Sequence, residues 1–111
     1  MCNLHKIINK NLASECLPKR NNLGNKYDFG HVLVVGGSKN YLGAPILAVK
    51  GCFSVGAGIV SLCVPENIYE ISCIRAPLET IIFSAPVTKN GTFSLKTVDV
   101  IIDYITKRKV T

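Results

Sequence analysis

The sequence alternates short, uncharged, strand-length runs with longer segments of helical spacing, and this alternation restricts the fold more than any other feature. Three runs have the β-branched, apolar content of buried strands, and a segment with helical periodicity follows each of them. They cover residues 32–35, 59–64 and 79–83. The predicted order of strand and helix, repeated three times, is typical of an α/β fold with a parallel sheet and right-handed crossovers.

Three helices are predicted to follow these strands. Pro45 suits the first turn of the first helix, where its missing N–H costs nothing, and Gly56 lies at its end. Because Lys50 is its only charged residue, we expect this helix to be largely buried. Isoleucines at every third position predict the second helix over residues 66–75, and apolar residues over 95–105 predict the third.

Residues 1–25 form a polar, basic segment, in which apolar residues at positions 4, 7, 8 and 12 predict a short helix. The domain itself is predicted over residues 26–111. After its third helix, a parallel α/β domain is expected to continue with another strand, and a three-stranded parallel sheet would leave both edges open. We therefore interpret residues 26–111 as the N-terminal half of a larger domain.

The net charge of +6 does not indicate a nucleic-acid binder, because the basic residues concentrate near the two ends without interleaved aromatic residues. The five cysteines include no CxxC pair and are best explained as reduced thiols. No ligand spacing indicates a metal site. Since neither a signal peptide nor a run long enough to span a membrane is found, we expect a cytoplasmic protein with no membrane partner.

The segment "GGSKNYLGAP", residues 36–45, is the candidate binding loop. Ligands of parallel sheets bind beyond the carboxyl ends of the strands, glycines allow a close approach, and a helix start offers N–H groups to an anion. The same glycines would equally suit a tight turn without a ligand. A P-loop is excluded because Ala44 and Pro45 follow Gly43. The dinucleotide-binding motif GxGxxG is also excluded, because the "GAG" of residues 56–58 precedes a strand instead of a helix.

Individual side chains in this loop leave alternatives open. Ser38 lacks the GxSxG surroundings of a nucleophile, so its hydroxyl is expected to bond the loop backbone or a ligand. Tyr41 fits a lid over a pocket and ordinary loop packing equally well. Neither paired carboxylates nor a Cys/His arrangement are recognisable, so no catalytic residue is predicted in this chain.

Several segments in order resemble the ADP/ATP-dependent NAD(P)H-hydrate dehydratases, metabolite-repair enzymes of the ribokinase-like fold. They are "LPKR", "NKYDFGHVLVVGGSKNYLGAPILAVKG", "VGAGIVSLCVPENIY" and "APLET". The resemblance implies the N-terminal part of a three-layer αβα, carbohydrate kinase-like domain with a mainly parallel sheet. It also implies ADP or ATP as co-substrate, Mg²⁺, and the hydrates of NADH and NADPH (NADHX and NADPHX) as substrates.

The Gly-Thr-Gly-Asp and His-Pro-Gly-Glu motifs of the family do not occur in this sequence. The resemblance therefore implies that the catalytic residues lie in a missing C-terminal half and that the isolated chain is inactive. A homo-oligomer is expected for a full-length protein. The alternative is a non-catalytic nucleotide-binding module or truncated pseudo-enzyme, which would hold a nucleotide-like ligand or a complementary C-terminal fragment.

The resemblance implies one set of substrate-binding residues in the loop, with Ala44 as the strongest candidate for direct contact: Gly36, Gly37, Ser38, Tyr41, Gly43 and Ala44. Lys26 and Gly30 match the family's stretch before the first strand. Tyr27 stands where the family usually has glycine, which would alter the entry loop. Ser54 replaces the usual arginine or lysine, which would remove a surface or interface charge.

Overall fold

The computed structural model describes residues 7–17 and 19–111, and its centre is a parallel sheet of three strands. These are β1 (His31–Val35), β2 (Ile59–Pro65) and β3 (Ile81–Ala85), side by side in chain order. The central strand β2 is buried along almost its whole length, because it has a neighbour on each side. The predicted α/β class with a parallel sheet is confirmed.

Each strand is followed by a helix. After β1 comes α2 (Gly43–Ser54), and after β2 a 3₁₀ turn (Glu66–Ile68) leads directly into α3 (Tyr69–Arg75). After β3 and a longer loop comes α4 (Thr97–Arg108). The charges of α4 agree with its dipole, since Asp99 lies in its first turn and basic residues lie in its last.

One face of the sheet carries the apolar core. Side chains alternate between the faces of a strand, and those of Val60, Leu62 and Val64 on β2 are completely buried here. They pack in one cluster with Ile46 and Val49 of α2 and with the residues directly before and after α3. Burial of this apolar surface is the main favourable contribution to folding on this side.

The opposite face is covered by α4, which completes three layers. The ring of Tyr104 stacks on Phe83 of β3, with a centroid distance of 4.1 Å. Its hydroxyl lies 2.8 Å from the Oγ of Ser61 on β2. Ser61 Oγ in turn lies 2.7 Å from Nε2 of His31 on β1, so one residue of α4 is linked to all three strands.

The helix predicted in the N-terminal segment lies later than expected. It is α1 (Lys10–Cys16), and the side chain of Asn9 caps it by accepting a hydrogen bond from the N–H of Leu12 at 2.9 Å. Ile7 precedes this helix, and position 4 lies outside the described residues. No residue of α1 is buried, so the apolar spacing did not correspond to a packed face.

The two outer strands and α2 differ in detail from the sequence-based expectations. The first strand was expected to be buried on both faces, but it is an edge strand whose Val35 is 42% exposed. The third strand begins at Ile81, two residues later than predicted. The expectation that α2 is largely buried is wrong, because this helix packs near an open edge and leaves Leu47 69% exposed.

Candidate functional site

The candidate loop leaves β1 at the carboxyl edge of the sheet and is held by its own backbone. The N–H of Gly36 donates to the carbonyl of Cys63 at 3.1 Å, which extends the pairing of β1 with β2 by one residue. Ser38 and Tyr41 then bond each other reciprocally through their backbones, at 3.2 and 3.0 Å. These two bonds close a tight turn with Lys39 at its exposed tip.

The two glycines of the loop are not equivalent. Gly37 has a φ of +97°, which side chains rarely allow, and a Cβ there would lie 2.8 Å from Cδ1 of Ile68. A Cβ at Gly36 would meet only Pro45, at an ordinary 3.5 Å. The backbone conformation therefore requires glycine at position 37 and does not require it at position 36.

The loop ends at the exposed start of α2. Leu42 occupies the N-cap position without a side-chain hydrogen bond to the helix, so no cap shields the first N–H groups. Gly43 and Ala44 are exposed, whereas the next residue, Pro45, is buried. A Cβ at Gly43 would have no atom within 4 Å, which leaves room for a ligand against the backbone.

A second loop rests against the first. The carbonyl of Gly91, in the "TKNG" turn of residues 88–91, accepts a hydrogen bond from the N–H of Lys39 at 3.1 Å. Gly91 has a φ of +75°, and a Cβ there would lie 2.8 Å from Nδ2 of Asn67. Segments that follow all three strands thus meet at this edge, as the position of a ligand site in a parallel sheet requires.

Asn67 and Gly91 are candidate site residues that the sequence reasoning missed. The "TKNG" stretch has turn chemistry, but nothing in its composition indicates that the turn folds back toward the residues after β1. Asn67 is an exposed residue of the 3₁₀ turn after β2. The family resemblance covered its segment without giving it a role.

The structure brings the six predicted loop residues together in one continuous segment at the carboxyl edge of β1. The side chain of Tyr41 is 73% exposed. Within the described residues, the Ser38 hydroxyl makes no hydrogen bond, and its backbone N–H and carbonyl hold the loop instead. The expected bond from this hydroxyl to the loop backbone is therefore not found.

A polar cluster separate from the loop lies under α4, where Ser61, His31 and Tyr104 are linked by hydrogen bonds. The distance of 2.7 Å between His31 Nε2 and Ser61 Oγ is that of a base and its nucleophile. Ser61, however, is fully buried, and Nδ1 of His31 lies 3.2 Å from the carbonyl of Arg108. Since no substrate reaches Ser61, the cluster holds α4 on the sheet.

The buried thiol of Cys63 is also not a reactive group. Burial raises the pKa of the Cys63 thiol from its ordinary value of 9.0 to about 11. Cys63 lies on the central strand and is completely buried, so it remains protonated and unreactive at neutral pH. In residues 7–17 and 19–111, no three His, Cys, Asp or Glu side chains form a group that could hold a metal ion.

Comparison with known proteins identifies the family. The carbohydrate kinase family model, described as NAD(P)H-hydrate dehydratase, matches residues 32–102, which include the whole candidate loop. The chain belongs to the NAD(P)H-hydrate dehydratase family. The resemblance inferred from the ordered motifs is thereby confirmed, and the candidate loop is a segment of a family domain.

Named relatives agree with this membership. A bifunctional NAD(P)H-hydrate repair enzyme of Moorella thermoacetica is 34% identical over 78% of this chain and 16% of its own length. An ADP-dependent (S)-NAD(P)H-hydrate dehydratase of Staphylococcus aureus is 30% identical over 86% of this chain and 34% of its own length. The chain thus spans about a third or less of the length of each of these two relatives.

A solved structure supports the fold. A ribokinase-like superfamily protein of Enterococcus faecalis superposes with a TM-score of 0.62 at 20% identity, over 91% of this chain and 40% of that one. The predicted ribokinase-like architecture is confirmed for the part that is described. No described helix is both long enough and apolar enough to cross a membrane.

Proposed function

We propose that residues 36–44 form one wall of the substrate pocket of an ADP- or ATP-dependent NAD(P)H-hydrate dehydratase. The observation that carries this proposal is the uncapped, exposed start of α2 at Gly43 and Ala44, directly after a loop fixed by its own backbone. Short side chains let a ligand approach this backbone, and the first N–H groups of a helix favour an anionic group such as the pyrophosphate of NADHX or NADPHX. Ala44 is the proposed direct contact.

The reaction would remove water from the damaged nicotinamide ring. Phosphorylation of the hydrate hydroxyl by ADP or ATP would leave AMP or ADP, and elimination of the new phosphate together with a proton from the neighbouring ring carbon would restore the double bond of the reduced ring. The loop residues would bind and orient the hydrate in this scheme. The name of the S. aureus relative supports ADP as one co-substrate.

The magnesium ion that the family resemblance implies does not fit the described part of the loop. Magnesium prefers carboxylate oxygens, whereas residues 36–44 contain no aspartate or glutamate. Metal ligands and the general base would therefore come from other parts of a complete domain. We expect that complete protein to act in the cytoplasm, as a homo-oligomer, on NADHX and NADPHX.

The second candidate function is a non-catalytic module that binds a nucleotide-like ligand through the same loop. It is favoured because, within the described residues, no three His, Cys, Asp or Glu side chains form a group that could hold a metal ion. Both candidates predict binding at the loop, and only the first predicts turnover once the remaining part of the domain is supplied.

Titration of the isotope-labelled 111-residue chain with NADPH hydrate tests the proposal, with undamaged NADPH as the reference ligand. We expect amide shift changes confined to residues 36–44 and their neighbours, and no formation of NADH from NADHX when ADP or ATP is added to this chain alone.

Ala44→Glu should abolish the shifts, because it adds bulk and negative charge at the contact. Ala48→Glu, at an exposed position one turn later on α2, should leave them unchanged. Shifts centred elsewhere would contradict the site, and NADH formation by the chain alone would contradict the assignment of catalysis to other residues.

A further inference from the structure

A groove of about 410 Å³ lies between α2 and α3, on the outer side of the apolar layer. This volume is within the range of small-molecule sites. On α2 the groove is lined by Gly43, Leu47 and Lys50, whose spacing places them on one face of the helix. On α3 it is lined by Ile71 and Arg75, which are four residues apart and also share a face. The α2–α3 groove therefore adjoins the candidate loop at Gly43 and runs along both helices.

The walls of this groove are apolar. Ile46 of α2 also lines it and is buried, whereas Leu47 on one wall and Ile71 on the other leave part of their side chains exposed to solvent. A flat apolar group between Leu47 and Ile71 would remove both surfaces from water, which is favourable. The ring of a nucleobase has this shape.

Two cationic side chains, Lys50 and Arg75, add charge to the groove. Within residues 7–17 and 19–111, neither of them forms an ion pair with a carboxylate, and none of the residues that line the groove is acidic. A lysine contributes a compact positive charge and an arginine a fork of donors, and both bind phosphate groups. The groove is thus complementary to a ligand that combines a flat ring with a phosphate.

The position of these cations along α2 fits one part of a dinucleotide. A helix rises by 1.5 Å per residue, so Lys50 lies about 10 Å beyond Gly43 along the helix axis, and its side chain is inclined back toward the helix start. In NADPHX, a single ribose separates the pyrophosphate from the phosphate on the 2′ oxygen of the adenosine. A pyrophosphate at the start of α2 would therefore bring this 2′-phosphate within reach of Lys50.

We propose that the α2–α3 groove holds the adenosine half of NADPHX, and that Lys50 and Arg75 bind its 2′-phosphate. The adenine packs between Leu47 and Ile71. This inference rests on the proposed function, because that function places the pyrophosphate at the start of α2. It adds a preference between the two substrates: NADHX has a hydroxyl in place of the 2′-phosphate and leaves both cations without a partner, so it binds more weakly.

Titration of the isotope-labelled chain with four ligands tests the inference. The ligands are NADPHX, NADHX, adenosine 2′,5′-bisphosphate and adenosine 5′-monophosphate, and the last two carry the adenosine half without the hydrate. We expect each ligand with a 2′-phosphate to bind about tenfold more tightly than its counterpart without one. The bisphosphate should shift the amides of Leu47, Ile71 and Arg75, whereas NADPHX should also shift those of residues 36–44.

The double variant Lys50→Gln/Arg75→Gln should bind NADPHX about tenfold more weakly, because both cationic partners of the 2′-phosphate are removed. Its affinity for NADHX should stay unchanged. The matched control is Lys107→Gln/Arg108→Gln, which removes the same two types of charge from exposed positions in the last turn of α4. This control should keep the preference for NADPHX, because its lost charges lie outside the groove.

The outcomes separate this inference from the proposed function. Shifts at residues 36–44 with equal affinities for NADPHX and NADHX would overturn the inference and leave the proposed function standing. A preference that survives in the Lys50→Gln/Arg75→Gln variant would also overturn it. Binding of adenosine 2′,5′-bisphosphate in the groove, without any shift at residues 36–44 when NADPHX is added, would contradict the proposed function and leave the groove as a site for the phosphorylated adenosine.

Discussion

The face of the sheet that packs against α2 and α3 is closed by apolar side chains, whereas the face under α4 is held by polar contacts and one aromatic stack. On the first face, Leu62 is fully buried in a continuous apolar cluster whose members are at most 8% exposed. On the second, Tyr104 joins Ser61 and Phe83, while Ile102 on the same helix remains 57% exposed. The two faces therefore contribute differently: apolar burial stabilises the sheet, and directional hydrogen bonds fix where α4 lies.

The largest expected effect is on the apolar face. Leu62→Ala should lower the free energy of unfolding by about 3 kcal/mol, because it removes buried methyl groups and leaves a cavity. Leu47→Ala on the exposed side of α2 is the matched control and should change it by less than about 0.5 kcal/mol. Urea unfolding followed by circular dichroism measures both. Equal effects of the two substitutions would show that the cluster around Leu62 is not the main source of stability.

The burial of Cys63 gives the next largest effect, and it depends on pH. The unfolded thiol ionises near its ordinary pKa of 9.0, whereas the folded one ionises at about 11. Between these values the unfolded state binds fewer protons, so the free energy of unfolding should fall as pH rises, by about 2 to 3 kcal/mol in total. The Cys63→Ala variant should lack this component of the decline. Parallel pH curves for the two proteins would contradict the raised pKa.

The polar face should respond more weakly. Ser61→Ala leaves His31 Nε2 buried without its partner and should cost about 2 kcal/mol, whereas Tyr104→Phe keeps the stack on Phe83 and should cost about 1 kcal/mol. Thr106→Ala removes an exposed hydroxyl that bonds only within α4 and should be nearly neutral. Urea unfolding gives the values, and the near-ultraviolet circular dichroism of the four tyrosines, in a chain without tryptophan, reports on changes in tertiary packing. A cost for Ser61→Ala above that of Leu62→Ala would reverse the comparison of the faces.

The order of strands and helices could be predicted from the sequence because each element has its own periodicity. The place of β1 in the sheet could not, since an apolar run has the same pattern at an edge and at the centre. The partial exposure of α2 follows from that position: Leu47 is 69% exposed, and the single charged residue of the helix does not indicate this exposure.

The candidate site shows the same limit at smaller scale. The loop of residues 36–44 could be predicted because its glycines interrupt a strand and precede a helix. The contribution of Gly91 could not, because its carbonyl reaches Lys39 only after the chain has crossed the sheet to β3 and returned. Likewise, the role of His31 could not be predicted, since its partners Ser61 and Arg108 are 30 and 77 residues away along the chain.

The last prediction concerns the point where the apolar face reaches the loop, and its effect is comparable to that on the polar face. Gly37→Ala adds a methyl group 2.8 Å from Cδ1 of Ile68, a member of the apolar cluster, at a φ of +97°. We expect a loss of about 1 to 2 kcal/mol, because the backbone is strained and Ile68 must move, although its flexible end can give way. Gly36→Ala meets Pro45 at an ordinary distance and should cost less than about 0.5 kcal/mol. Thermal unfolding measures the pair. Because both residues adjoin the proposed pocket, titration of the two variants with NADPH hydrate should separate a ligand role from a structural one. Weaker binding to Gly36→Ala at unchanged stability would mean that the ligand approaches the backbone at Gly36. Equal losses of stability in the two variants would show that the loop does not depend on the conformation of Gly37.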